Sequence, residues 1–211
     1  MAVLSDPRFL VLHVVRLKGV ADAAAVTVAG GLGPGEVERL LDDLAGSGLV
    51  EHRQGVLAGW ALTPIGRKQR DALMAEELEA SGVRGAIEAA HRRFLAINPE
   101  ILSACTAWQR RDDVAAPAVN DHTDAGYDRA VVDRLVAIHR RAQPVLADLG
   151  AALHRYRPYH SRLQGALDRV VAGEADWFTR PLIDSYHSVW FELHQDMLDT
   201  LGIERGTEGQ A

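Results

Sequence analysis

EHRQGVLAGWALTPIGRKQRDALMAEEL, residues Glu51 to Leu78, reads as a short strand, a tight turn, a second short strand and then a helix announced by Thr63 and Pro64. The β-type runs LVEHRQ and GWALT are joined by a turn at Gly55 to Gly59. Thr63 carries the oxygen an N-cap needs, and Pro64 suits the first helical turn, where a missing N–H costs little. Upstream the apolar period is helical. Pro7 to Lys18 place Phe9, Leu10, Leu12, Val14, Val15 and Leu17 around a helix that Gly19 ends. Asp22 caps the alanine-rich DAAAVTVAGG. In LGPGEVERLLDDLAGSGLV, Pro34 opens a third helix, Val37, Leu40, Leu41 and Leu44 form one stripe at i, i+3, i+4, i+7, and Gly46 or Gly48 closes it.

Three helices, a hairpin and a long helix follow in the winged-helix order. Residues 7 to 80, above all GLVEHR and GWALTPIGR, resemble the winged helix-turn-helix domain of MarR- or PadR-like bacterial transcriptional regulators, which close the wing with Leu-Thr-Pro-x-Gly-Arg. The resemblance implies a third helix that enters the major groove of double-stranded DNA. On that expectation the DNA-contacting residues are Glu38 and Arg39 on the third helix, His52, Arg53 and Gln54 leading into the wing, and Arg67 and Lys68 after it.

Charge argues the other way. The solvent face of the third helix offers Glu36, Glu38, Arg39, Asp42 and Asp43, one positive charge against four negative. Residues 1 to 80 hold eight Lys and Arg against eleven Asp and Glu, a net of −3 within a chain of net −6, and the wing loop GVLAG is uncharged. Duplex affinity rests mainly on cations that neutralise phosphates. The alternative reading is therefore a degenerate winged helix serving as a protein-interaction module, fused to a helical ligand-binding bundle that does not bind DNA.

From Val83 onward the pattern is helical nearly throughout. Val83, Ala86, Ile87, Ala90, Phe94 and Ile97 make one stripe, and Asn98 and Pro99 restart a second helix carrying Ile101, Leu102, Cys105 and Trp108. RRDDVAAPAVNDHTDAG, polar and broken by Pro117, reads as a loop. A long helix then runs through Tyr127, Val131, Leu135, Ile138, Ala142, Val145, Leu149, Leu153 and Tyr156, bent at Pro144. A shorter one holds Leu163, Leu167 and Val170. The last, PLIDSYHSVWFELHQDMLDTLG, is apolar on two sides, with Ile183 and Phe191 opposite the main stripe; such a helix lies inside a bundle or between subunits, and a homodimer built on these helices is expected. The expected fold class is mainly α with a small β-hairpin wing: a winged helix over 1–80, a helical dimerisation and ligand-binding bundle over 81–204, and a flexible tail over 205–211.

At 211 residues, 47% hydrophobic and 25% charged, the composition is that of an ordinary soluble globular chain, and no apolar run reaches the ~18 residues of a membrane span. MAVLSDPRFLVLHVVRLKG, interrupted by His13, Arg16 and Lys18, reads as a helix rather than a signal peptide. The single cysteine, Cys105, sits in an apolar series, reads as a buried small hydrophobe and fits a cytoplasmic location.

A mix of aromatic walls and polar tips points to a small-molecule effector site among the C-terminal helices: Trp108, Gln109, Asn120, Asp121, His122, Trp177, Phe178, Asp184, Tyr186, His187 and Trp190. The same residues have a plainer reading, with the tryptophans as core and Asn120 to Thr123 as an Asx-type turn capping the next helix. Glu88 with His91 and Asp184 with His187 have the i, i+3 spacing of dimetal carboxylate sites, but the further glutamates such a site takes are missing, so no metal is expected. There is no nucleophile elbow, phosphate-cradling loop or zinc signature. Neither a cofactor nor an enzymatic activity is expected.

Overall fold

Asp6 starts the first helix. Its carboxylate accepts the backbone N–H of Arg8 at 2.8 Å and of Phe9 at 3.1 Å in a computed structural model that describes residues 2–111 and 118–204. Helix α1 (Pro7–Lys18) is followed by α2 (Ala23–Gly30), whose first turn is capped by Asp22 on the Ala25 N–H at 2.7 Å. Helix α3 (Pro34–Gly46) buries Val37, Leu40, Leu41 and Leu44, the four-residue stripe that its spacing predicts. Strands β1 (Val50–Arg53) and β2 (Gly59–Leu62) pair antiparallel, from Val50 opposite Leu62 to Arg53 opposite Gly59. Ala21 adds a bridge to Trp60, with N···O distances of 3.0 and 2.7 Å, so the loop after α1 borders the hairpin.

The Thr-Pro-x-Gly turn has a local physical cause. Thr63 accepts the Gly66 N–H at 3.0 Å and donates to the Gly48 carbonyl at 2.7 Å, tying the start of α4 (Pro64–Ser81) to the end of the α3 turn. A Cβ on Gly66 would lie 1.9 Å from the Leu49 carbonyl oxygen, so no larger residue fits there. One apolar cluster joins these elements: Val11, Leu12, Val14 and Val15 of α1, Val26 of α2, the α3 stripe, and Val50 and Leu62 of the hairpin. Each such side chain contributes about 1.5–3 kcal/mol of burial, which offsets the nucleation cost of a helix as short as the eight residues of α2.

Helix α5 (Arg84–Gln109) runs unbroken through Pro99. The sequence reading places a helix boundary here; the structure does not. Phe94, Ile97, Ile101, Ala104, Cys105 and Trp108 are all buried and keep one helical phase across the proline. Burying that stripe outweighs the lost hydrogen bond and the ring clash, which cost about 3 kcal/mol. Leu102, expected inside with Ile101, is exposed. Strands β3 (Arg110–Arg111) and β4 (Ala118–Val119) pair antiparallel within the expected loop. The expectation about Pro117, like that about the tail over 205–211, lies outside the described residues.

Helix α6 (Ala125–Ala152) runs through Pro144 and ends before Leu153, which is extended at φ −125° and ψ 126° and bridges Val3. Leu153 and Tyr156 are buried but belong to an extended residue and a 3₁₀ turn, His154–Tyr156, not to α6 as their spacing implies. After α7 (Arg157–Val171) and the short α8 (Asp176–Thr179), α9 (Tyr186–Leu201) begins later than its sequence pattern suggests. Leu182, at φ 66°, and Asp184 precede it.

The chain divides into two compact units. One comprises the described residues of Met1–Glu88, Leu149–Pro158 and Glu192–Ala211, and the other Ala89–Asp148 and Tyr159–Phe191. Among the described residues the protein is mainly helical with two small two-stranded antiparallel sheets, and no helix is long and apolar enough to cross a membrane.

Candidate functional site

In the first unit, α3 turns its stripe inward and leaves Glu38, Arg39, Asp42 and Asp43 exposed. Residues 51–58 of the hairpin are exposed as well, and Val56 at its tip is fully so. His52 packs edge-on against Trp60 at 5.0 Å and contacts Gln54 at 3.2 Å, while Arg53 is paired with Glu51 at 3.0 Å. Arg67 and Lys68 are exposed on α4. Arg39, Arg67 and Lys68 have no ion pair among the described residues. Arg70, part of the same basic run, is instead turned inward and 3% exposed, so it adds nothing to the surface charge.

Arg70 belongs to a buried polar network that the sequence reading misses. The Arg155 guanidinium donates to Glu77 at 2.9 Å, to Asp196 and to Thr200 at 2.7 Å, and Tyr156 meets Thr200 at 2.9 Å. Arg70 donates to Asp199 and Asp71, and approaches His13 Nδ1 at 3.0 Å. His13 Nε2 lies 3.0 Å from Asp196. Burial holds the His13 imidazole below its ordinary range, with Asp196 opposing, so His13 is neutral; Nδ1 accepts from Arg70 and Nε2–H donates to Asp196. Burial alone would raise the Asp196 carboxyl, but Arg155 and then His13 outweigh it and keep Asp196 well below the usual carboxylate range. Each buried guanidinium thus meets a carboxylate, and the network ties α1, α4, the 3₁₀ turn and the end of α9 together. The signal lies in the stripes: His13 interrupts Phe9, Leu12 and Val14, and Asp196 interrupts Leu193 and Met197.

Beside it opens a cavity of about 770 Å³, walled by Met74, Leu78, Leu198 and Leu201, with Arg16 and Arg84 among its lining charges. None of its lining residues is among the expected ligand contacts.

In the second unit the expected ligand residues fall into separate groups. Trp108 stacks on Phe178 at 4.7 Å and 11°, and His122 lies 4.5 Å from the indole. Asn120 is buried and donates to the Trp108 carbonyl at 3.1 Å and to Asp128 at 2.8 Å; Asp128 also meets His122 Nδ1 at 3.0 Å. His122 adopts φ 59°, a left-handed conformation uncommon for a side chain with a Cβ. Asn120 and Asp121 each accept the N–H two residues on, which is the Asx-type turn. The residue that caps α6 is Asp124, held below the usual carboxylate range by the Tyr127 N–H and then by Arg111. Gln109 and Asp121 are exposed.

The second group is Trp190, stacked on Phe94 at 4.4 Å and donating to Asn98 at 3.0 Å, with Tyr186 parallel to it at 6.4 Å. Tyr186 hydroxyl meets His139 Nδ1 at 3.1 Å, and burial lowers the His139 imidazole. His187 is half-buried and likewise lowered by burial. Trp177 lies apart under the Arg169 guanidinium at 4.1 Å, and Asp184 pairs with Arg162 at 2.8 Å. Cys105 is buried, and burial pushes its thiol up to about 12, far from any nucleophilic state. Among the described residues no three His, Cys, Asp or Glu side chains gather as a metal ion requires.

Comparison with protein-family models, with curated proteins and with solved structures finds no match to this chain.

Proposed function

We propose that the chain is a MarR/PadR-like DNA-binding transcriptional regulator, cytoplasmic and homodimeric. In this reading the order α1, α2, α3, β1, β2, α4 is that of a winged helix, and α3 with the hairpin is its DNA-reading surface. The observation that carries it is the one-sided burial of α3 beside a hairpin that is exposed from Glu51 to Ala58. The inner stripe anchors α3 in the core, while its outer face and the wing remain open to a long ligand. Arg39 is the base-reading side chain, Glu38 accepts from cytosine N4, and Arg67 and Lys68 contact phosphate. His52, Arg53 and Gln54 form the approach to the wing. A small-molecule effector acts through the C-terminal helices around Trp108, Asn120, His122, Trp177, Asp184, His187 and Trp190, and the same helices supply the dimer contact.

A second reading has its own observation. The exposed face of α3 is acidic, and Arg53 is already neutralised by Glu51. That surface suits a basic protein partner better than phosphate. The two readings separate in one titration: the purified chain against a labelled duplex from its own upstream region and a scrambled control, across a salt series. Specific binding with a shallow salt dependence supports the regulator, and no binding at low salt rejects it in favour of the interaction module. Within the same assay, Glu38→Lys with Asp42→Lys tightens binding to both duplexes, because two phosphate-repelling charges become attracting ones, and narrows the preference between them, because the Glu38 acceptor is gone.

A further inference from the structure

The corner of the second unit between α7 and α9, residues 172–185, holds a leucine that is costly twice. Leu182 takes φ 66° and is 86% exposed. The left-handed region crowds a Cβ against the carbonyl oxygen that follows it, a cost that glycine avoids. A single exposed leucine is ordinary on a protein surface, but one held left-handed accepts backbone strain and still presents its side chain to water. The turn is pinned on both sides. The Arg180 carbonyl accepts the Ser188 hydroxyl at 3.4 Å, and the Asp184 carboxylate takes the Arg162 guanidinium at 2.8 Å. These contacts fix where Leu182 projects and leave it in solvent.

The charges around it suit a copy of the same surface. Val171, the last residue of α7, is 60% exposed. The corner also carries two ion pairs, Arg169 with Glu174 at 3.3 Å and Arg180 with Asp176, and each of the four side chains is half exposed or more. Two guanidiniums and two carboxylates make the corner self-complementary: turned about a twofold axis, the cations of one copy face the carboxylates of the other. A partner of a single charge sign would be repelled by half of these groups.

We propose that this corner is the contact between two copies of the chain, with Leu182 of each copy as its apolar anchor and the exchanged ion pairs as its rim. The proposal gives a definite surface to the homodimer of the reading above, on which it rests, and it is independent of whether the chain binds DNA.

The test is sedimentation velocity of the full-length chain over a dilution series. Wild type is a dimer that dissociates on dilution. Leu182→Gly removes an anchor from each side of the twofold and raises the dissociation constant by about 100-fold or more. The thermal midpoint of the dilute, monomeric variant stays unchanged or rises, because glycine accepts the left-handed turn. Charge supplies a second arm: a copy with Arg169→Glu and Arg180→Glu and another with Glu174→Arg and Asp176→Arg are each monomeric, and their mixture pairs. A dimer that Leu182→Gly leaves as tight as wild type overturns the proposal while the homodimer stands on another face; a wild-type chain that is monomeric throughout overturns both. A mixture of the two charge variants that stays monomeric also overturns it, as does a lowered midpoint of dilute Leu182→Gly, which would mean that Leu182 packs within its own chain.

Discussion

Asp196→Asn tests the buried network directly. Asp196 is 1% exposed and meets both the Arg155 guanidinium and His13 Nε2. The substitution keeps the shape and removes the charge, so Arg155, itself 1% exposed in its side chain, is left with Glu77 as its remaining carboxylate. Removing one member of a buried ion pair costs about 3–5 kcal/mol, a large part of the roughly 5–15 kcal/mol of a typical domain. The assay is urea unfolding at pH 7, with Glu51→Gln as control: its partner pair with Arg53 is about half exposed, and such pairs contribute at most about 1 kcal/mol.

Acid adds a second arm. The folded Asp196 carboxyl is held low by Arg155 and His13, so its contribution is complete above the unfolded value of about 3.9 and is lost as pH falls toward the folded one. The gap between wild type and Asp196→Asn therefore narrows by about 1 kcal/mol at pH 3. Replacing both partners, Arg155→Met with Asp196→Leu, costs less than the sum of the single changes, since the Arg155–Asp196 pair is then removed together and only Glu77 loses its cation. A loss under about 1 kcal/mol at pH 7, or a gap that ignores acid, would refute the claim that these charges hold α9 in place.

Gly66→Ala drives a Cβ to 1.9 Å from the Leu49 carbonyl oxygen; the start of α4 must shift, and a loss of about 3 kcal/mol or more in urea unfolding is expected, with a neutral result disproving the close approach. Pro99→Ala acts in the opposite direction. The proline is exposed within α5, so alanine restores a helical N–H and raises the thermal midpoint by the equivalent of about 1–2 kcal/mol, and a lowered midpoint would contradict a continuous helix there. Burial lowers His13, His139 and His187, so each takes its proton at a lower pH when folded than the value near 6.5 at which it does so unfolded. Stability is complete above that pH and declines as the solution is acidified toward pH 5.5, a slope that His139→Gln reduces; a pH-independent urea midpoint would exclude neutral buried histidines.

What the sequence discloses is local. Caps by Asp6, Asp22 and Thr63, the α3 stripe and the Gly55 to Gly59 turn depend on residues a few positions apart, and their oxygens and apolar groups act through adjacent turns. The hidden part is long-range. His13 meets Arg70, 57 residues away, and Arg155 meets Glu77, 78 residues away; no periodicity encodes such a pairing, only the oddity of a polar residue in an apolar stripe. Pro99 misleads because its local cost is visible while the packing that outweighs it is not. Asp184 misleads in the opposite sense: its spacing to His187 suits a helix, but α9 starts after it and Arg162 holds its carboxylate. Among the expected ligand residues, Trp108, Asn120, His122 and Phe178 converge, while Trp177 and Asp184 each have a partner elsewhere.

The most direct test of the regulator reading is hydrogen exchange of the full-length chain, alone and bound to a duplex from its own upstream region. The reading predicts slowed exchange in α3 around Glu38 to Asp43 and in the hairpin from His52 to Leu57, with the C-terminal helices little changed. Duplex bound with protection elsewhere and none in α3 or the hairpin would contradict it.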